Sequence, residues 1–181
     1  MGRDILSKGI GVAGYLGRML HVGETFLGAS SALENTAEEF LGGCSVLTGR
    51  CECARVKYLV EGNIHDFSHC HCSQCRRLHG AAFASFAGVA KSDFSYLSGE
   101  GELSSYASSD SHSRVFCSHC GSNILVAMTA EPDDLYLAMG TMDGDPQCPP
   151  DYHIFVGSKA AWHRFDDRAP RYEGDFEDTP G

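Results

Sequence analysis

The sequence has no apolar run approaching the length needed to cross a membrane, and only 14 lysines and arginines against 24 aspartates and glutamates. The first absence excludes a transmembrane helix. The second leaves a formal net charge of -10, which disfavours nonspecific attraction to nucleic acid or anionic lipid. Features of a secretory signal are missing too. The longest uncharged stretch near the N-terminus, Gly9 to Gly17, is glycine-rich and runs into Arg18 rather than a small-residue cleavage site. A reducing, cytoplasmic setting is expected, with neither membrane nor nucleic acid as partner. Tryptophan occurs once, at Trp162, and its size predicts an anchor that closes the core or its edge.

Cysteine, in contrast, is abundant: nine in 181 residues. In a reducing compartment, short cysteine spacings favour metal ligation over disulfides. Cys70, Cys72 and Cys75 lie within His69-Cys-His-Cys-Ser-Gln-Cys-Arg-Arg-Leu-His-Gly80, too close for separate disulfides but suited to one soft cation. Two further pairs, Cys51/Cys53 and Cys117/Cys120, supply four more thiols. Brought together by a sheet, those four would fill every position of a tetrahedral zinc and tie segments distant in sequence, a structural role. The group of three leaves a fourth position for water or substrate, unless His69, His71 or His79 closes it. Seven thiolates and two zinc ions would bring the net charge to about -13. Cys44 and Cys148 are left over, without a ligand role.

A chain of this length, 43% hydrophobic, supports one well-buried core. The expected organisation is an N-terminal extension over residues 1–43, a zinc-binding domain over 44–176 and an acidic tail over 177–181. The extension is glycine-rich; Ser31 with Glu34 forms a capping-box pattern that predicts a short helix up to Leu41. The expected reading is a tail without chemistry of its own; the alternative is an extension that packs on the domain, on a partner or on a second copy of the chain. From Arg50 onward the pattern is all-β, with strand signals around Val56–Val60, Phe83–Ala90, Arg114–Cys117, Ile124–Met128, Leu135–Met139 and His153–Val156, separated by Gly, Pro, Asn and Asp turns. The run from Phe94 to Tyr106, centred on Gly99-Glu100-Gly101, reads as a hairpin.

Three thiolates make a bound zinc a weak Lewis acid but leave it able to bind and ionise an incoming thiol. The chemistry suggested is addition of a thiol to a small aldehyde, or its reversal. A thiol such as glutathione carries carboxylates, and Arg76 and Arg77, directly after Cys75, are candidates to pair with them. Arg55, Lys57 and Arg114 are other nearby cations, with an ordinary surface role expected.

Several blocks in order resemble the glutathione-dependent formaldehyde-activating enzyme family, which includes centromere protein V. They are Gly49-Arg-Cys-Glu-Cys53, Cys70-His-Cys-Ser-Gln-Cys-Arg-Arg77, Arg114-Val-Phe-Cys-Ser-His-Cys-Gly-Ser122, Gly140-Thr-Met-Asp143 and His153-Ile-Phe-Val-Gly-Ser-Lys-Ala160. The resemblance implies an Mss4-like fold of short antiparallel sheets tied by zinc on Cys51, Cys53, Cys117 and Cys120. It also implies a second zinc on Cys70, Cys72 and Cys75, where glutathione meets formaldehyde to give S-hydroxymethylglutathione. The expected activity is that of a zinc-dependent carbon-sulfur lyase with two zinc ions per chain. The competing reading is a zinc-stabilised protein-binding module without catalysis.

Overall fold

A computed structural model of the chain describes residues 46–176. The helix expected before Leu41, the extension over 1–43 with its surface for self-association, Cys44 and the tail over 177–181 lie outside the described residues. Eleven strands and one α-helix are assigned among those described. In chain order they are β1 (Val46–Arg50), β2 (Lys57–Glu61), β3 (His65–Cys70), α1 (Ser73–His79), β4 (Ala84–Ala90) and β5 (Phe94–Ser98). Then follow β6 (Leu103–Ala107), β7 (His112–Cys117), β8 (Asn123–Met128), β9 (Asp134–Ala138), β10 (Met142–Asp143) and β11 (Tyr152–Ile154).

The strands form two sheets, one of order β10-β1-β2-β5 and one of order β11-β3-β4-β9-β8-β7-β6. Every pairing is antiparallel except β11 with β3. The alternation legible in β2 is realised: Tyr58 and Val60 are buried while Lys57 and Glu61 face out. In β4, Ala84, Phe86, Ala87, Gly88 and Val89 are all buried, as suits an apolar strand with β3 on one side and β9 on the other. Among the described residues no helix is long and apolar enough to cross a membrane.

The expected hairpin between Phe94 and Tyr106 does not form. β5 pairs with β2 in the first sheet and β6 with β7 in the second. Gly99, at φ 77°, and the 3-10 turn over Glu100–Glu102 carry the chain from one sheet to the other. Turn signals between two β-prone runs are the same for a hairpin and a sheet change; the partner strand decides. Trp162 is likewise not a core anchor, being 72% exposed. The nearby aromatic that packs is Phe165, against His71, His153 and His163.

Two apolar clusters follow from the pleat of the large sheet. One holds Cys51, Tyr58, Val60, Val89, Cys117, Ile124 and Leu137; the other holds Cys70, Cys75, Ala84, Phe86, Val126 and Ala138. Register sorts neighbouring residues between them. Val115, Leu125 and Leu137 form one cross-strand row, and Arg114, Val126 and Tyr136 form the next, on the opposite face. Cys117 and Cys75 therefore lie on opposite sides of one sheet.

Gly49 in β1 lies directly over the ring of Tyr58, which is fully buried and hydrogen-bonded through its hydroxyl to Thr141 Oγ1 at 2.9 Å. A Cβ there would collide with the ring, and the ring has nowhere to move. Gly49→Ala is expected to destabilise the fold by about 2 kcal/mol, read as a lower denaturation midpoint in urea with an unchanged slope.

Candidate metal centre

The four-cysteine group assembles where the two sheets meet. Cys51 follows β1 and Cys117 ends β7, both buried; Cys53 and Cys120 reach in from the adjoining turns. Gly121, at φ 76°, closes the turn by donating its backbone N–H to Cys117 O at 2.9 Å, a conformation that favours glycine. The four sulfurs lie within 4.8 Å of one another, with Cys51–Cys53 at 3.5 Å and Cys53–Cys117 at 3.8 Å. Tetrahedral coordination with bonds of about 2.3 Å places sulfurs about 3.8 Å apart, so this donor set fits a zinc ion. The Cys120 thiol is pulled down to about 5, first by the hydrogen bond from the Ser122 side chain.

The three-cysteine group is built at the other face, at the junction of β3 and α1. Cys70 is the last residue of β3, Cys72 is the N-cap of α1 and Cys75 lies in its first turn. Cys72 Sγ accepts the Cys75 N–H at 3.3 Å, which sets both sulfurs on one side of the helix. Gly80, in the left-handed region at φ 59°, ends the helix, and Asn123 Nδ2 of β8 holds it through Leu78 O at 3.2 Å. These three sulfurs also lie within 4.8 Å of one another. Hydrogen bonds from Cys70 and then Cys75 draw the Cys72 thiol down, while bonding to Cys72 and Cys75 pushes Cys70 up.

No histidine joins the three sulfurs among the described residues. His69 Nδ1 pairs with Ser85 Oγ at 3.0 Å, and the His79 ring lies edge-on to Phe86. Fully buried His71 turns to the side away from the sulfurs. Its Nε2 is 2.8 Å from His153 Nδ1, and His153 Nε2 is 3.0 Å from Asp167 Oδ2. A carboxylate can only accept, so the network assigns the proton of His153 to Nε2 and that of His71 to its own Nε2. His71 Nδ1 is left as a buried lone pair without a partner. Burial first, and the neighbouring His153 second, hold both His69 and His71 down at about 4, so both are neutral at pH 7.

A cavity of about 700 Å³ opens beside the three sulfurs, lined by all three cysteines and by Gln74, Phe86, Arg114, Tyr136 and Phe155 among others. That volume is in the range of small-molecule sites. Arg76 and Arg77 do not line it. Arg76 sits on the flank of α1 and donates to the carbonyl oxygens of His71 at 3.3 Å and Ser158 at 3.1 Å, and Arg77 is exposed. Arg114, treated from the sequence as an ordinary surface cation, is buried and reaches Cys75 Sγ at 3.6 Å. The signal was available in the alternation of β7, which sends Arg114 to the side opposite Cys117. Cys148 is half-buried and belongs to neither group.

Fold and sites together define a β protein with one four-thiol and one three-thiol centre able to hold zinc, the second beside a cavity of ligand size. The model of the glutathione-dependent formaldehyde-activating enzyme family matches residues 46–158, and the chain belongs to that family. Membership agrees with the Mss4-like arrangement of short sheets tied by four cysteines. A Halomonas elongata protein provisionally named as a glutathione-dependent formaldehyde-activating enzyme is 25% identical over 130 residues, 68% of this chain and 83% of that one. A Rhodobacter sphaeroides protein of known crystal structure aligns over 54% of this chain and 89% of its own, at 26% identity and a TM-score of 0.47.

Replacing His153 by leucine leaves the His71 Nε2 donor buried and unpaired. The expected loss is about 2 to 3 kcal/mol of unfolding free energy, measured by urea denaturation of the metal-loaded protein.

Proposed function

We propose that the chain is a zinc-dependent carbon-sulfur lyase of the S-hydroxymethylglutathione synthase type, joining a glutathione-like thiol to a small aldehyde. The observation that carries this reading is the convergence of Cys70, Cys72 and Cys75 on one wall of the cavity without a fourth protein ligand among the described residues. Cys51, Cys53, Cys117 and Cys120 would hold a second zinc in a structural role, since all four positions are supplied by protein. The family match and the name of the Halomonas elongata relative support the same substrate pair.

Bound by the three cysteines, zinc supplies an open position that favours the ionised form of an incoming thiol. A free thiol of pKa about 8.5 is a few per cent ionised at pH 7, so ionisation alone contributes at most about thirtyfold, near 2 kcal/mol. The rest of the acceleration must come from holding the two reactants together. The chain supplies that with a concave wall: Phe86, Val126 and Phe155 provide apolar surface, and Gln74 and Arg114 provide polar groups next to the sulfurs. The hydrogen-bonded His71–His153–Asp167 chain keeps the turn bearing Cys70 and Cys72 in place from behind. A cytoplasmic location is consistent with seven cysteines acting as thiolate ligands.

Elemental analysis is expected to give two zinc ions per chain. Cys72→Ser should lose one of them, keep its fold by circular dichroism and lower the rate by about 100-fold or more. The rate is read by exchange NMR of formaldehyde and glutathione, with their uncatalysed addition subtracted. A Cys72→Ser protein that retains both metals and full exchange would overturn the assignment.

A further inference from the structure

Arg114 is 6% exposed, and its hydrogen bonds leave it incompletely satisfied. Nε donates to Ser108 Oγ at 3.1 Å, and Nη2 to Gln74 Oε1 at 3.2 Å and Cys75 Sγ at 3.6 Å. Nη1 is buried without a partner. Among the described residues no carboxylate forms an ion pair with this guanidinium. A Cys75 thiolate would face Nη2 but leaves Nη1 unpaired, and a guanidinium donor buried without an acceptor is costly unless a ligand completes the set. The fork geometry of arginine matches a carboxylate.

The surrounding wall sharpens this. Arg114 is the one arginine or lysine among the described lining residues, whereas Asp66, Glu131 and Asp175 all contribute to the lining. A carboxylate entering the cavity is repelled elsewhere and attracted here, at a position beside the three sulfurs. Ser108 and Gln74 brace the guanidinium, and Phe86 lies under it with its ring centre 5.9 Å from Cζ. The cation is therefore held in one orientation before any ligand arrives, which lowers the entropy lost on binding.

We propose that Arg114 anchors a carboxylate of the thiol substrate, so that the cavity selects thiols carrying a free carboxylate over neutral thiols of the same shape. This rests on the function proposed above. The competing role for Arg114 is purely local: a hydrogen-bond donor that steadies Cys75 and has no bearing on which thiol binds.

The probes are N-acetylcysteinylglycine and its neutral C-terminal amide, titrated into cobalt-substituted protein while the sulfur-to-metal charge-transfer band is followed. The wild-type protein is expected to bind the acid about tenfold more tightly than the amide. In Arg114→Gln that ratio should fall to about one, and Arg114→Lys should keep part of the preference. An acid-to-amide ratio near one in the wild-type protein overturns the proposal without needing any variant to fold. So does a ratio that Arg114→Gln leaves unchanged, and in both cases the band still responds to thiols and the underlying function stands. If neither probe moves the band in the wild-type protein, thiol ligation itself is lost and the anchor falls with it.

Discussion

The arrangement depends on one contact between distant parts of the chain, the meeting of the Cys51/Cys53 turn with the Cys117/Cys120 turn. Cys51 and Cys117 are at most 1% exposed and belong to the same apolar cluster as Tyr58, Ile124 and Leu137. The sulfurs thus sit at the edge of the core rather than on a separate appendage. The small sheet reaches the large one through this edge, and an ion held there adds its binding free energy to folding because the unfolded chain has no preformed site. The turns are shaped for it: Ser122 Oγ accepts the Glu52 N–H at 3.0 Å and lies 3.3 Å from Cys120 Sγ, stitching one turn to the other.

Once the large sheet is fixed by that edge, its opposite face becomes the floor of the second centre. The row Arg114, Val126 and Tyr136 is one pleat away from the row Val115, Leu125 and Leu137. β4 adds Phe86, and α1 brings Cys72, Gln74 and Cys75 above them. The two centres therefore share a sheet but not a face. A metal in the four-thiol centre would hold the fold from the face opposite the three-thiol centre, with the strands between them acting as a spacer.

Behind the second centre lies a pocket of imidazoles and phenylalanines that the cavity does not reach. His71, between two candidate ligands, is enclosed by Phe83, His153, His163 and Phe165. The stretch Asp167–Tyr172 closes it: Asp167 accepts from His153, His153 donates its backbone N–H to Pro170 O at 2.8 Å, and the Arg171 guanidinium stacks 4.3 Å from the centre of Phe165. The C-terminal segment thus contributes to the site by positioning the turn that carries the sulfurs, without a residue touching them.

The sequence by itself determined which atoms are available. Cysteine spacing within turns fixes two local pairs and one local triplet as donor sets, because residues two to five apart cannot separate far whatever the fold. Alternation along β2, β4 and β8 likewise fixes which side chains share a face, since the period of two is a property of the backbone. What the tertiary structure decided is every relation between segments. Cys51 meets Cys117 only because the sheets pair as they do, Phe94–Ser98 and Leu103–Ala107 go to different sheets because their partner strands differ, and Trp162 stays outside because Phe165 takes the interior place. Arg76 and Arg77 adjoin a cysteine in sequence yet turn aside on a helix. Arg114, 39 residues from Cys75, arrives beside it because a strand sends alternate side chains to opposite faces and the helix covers one of them.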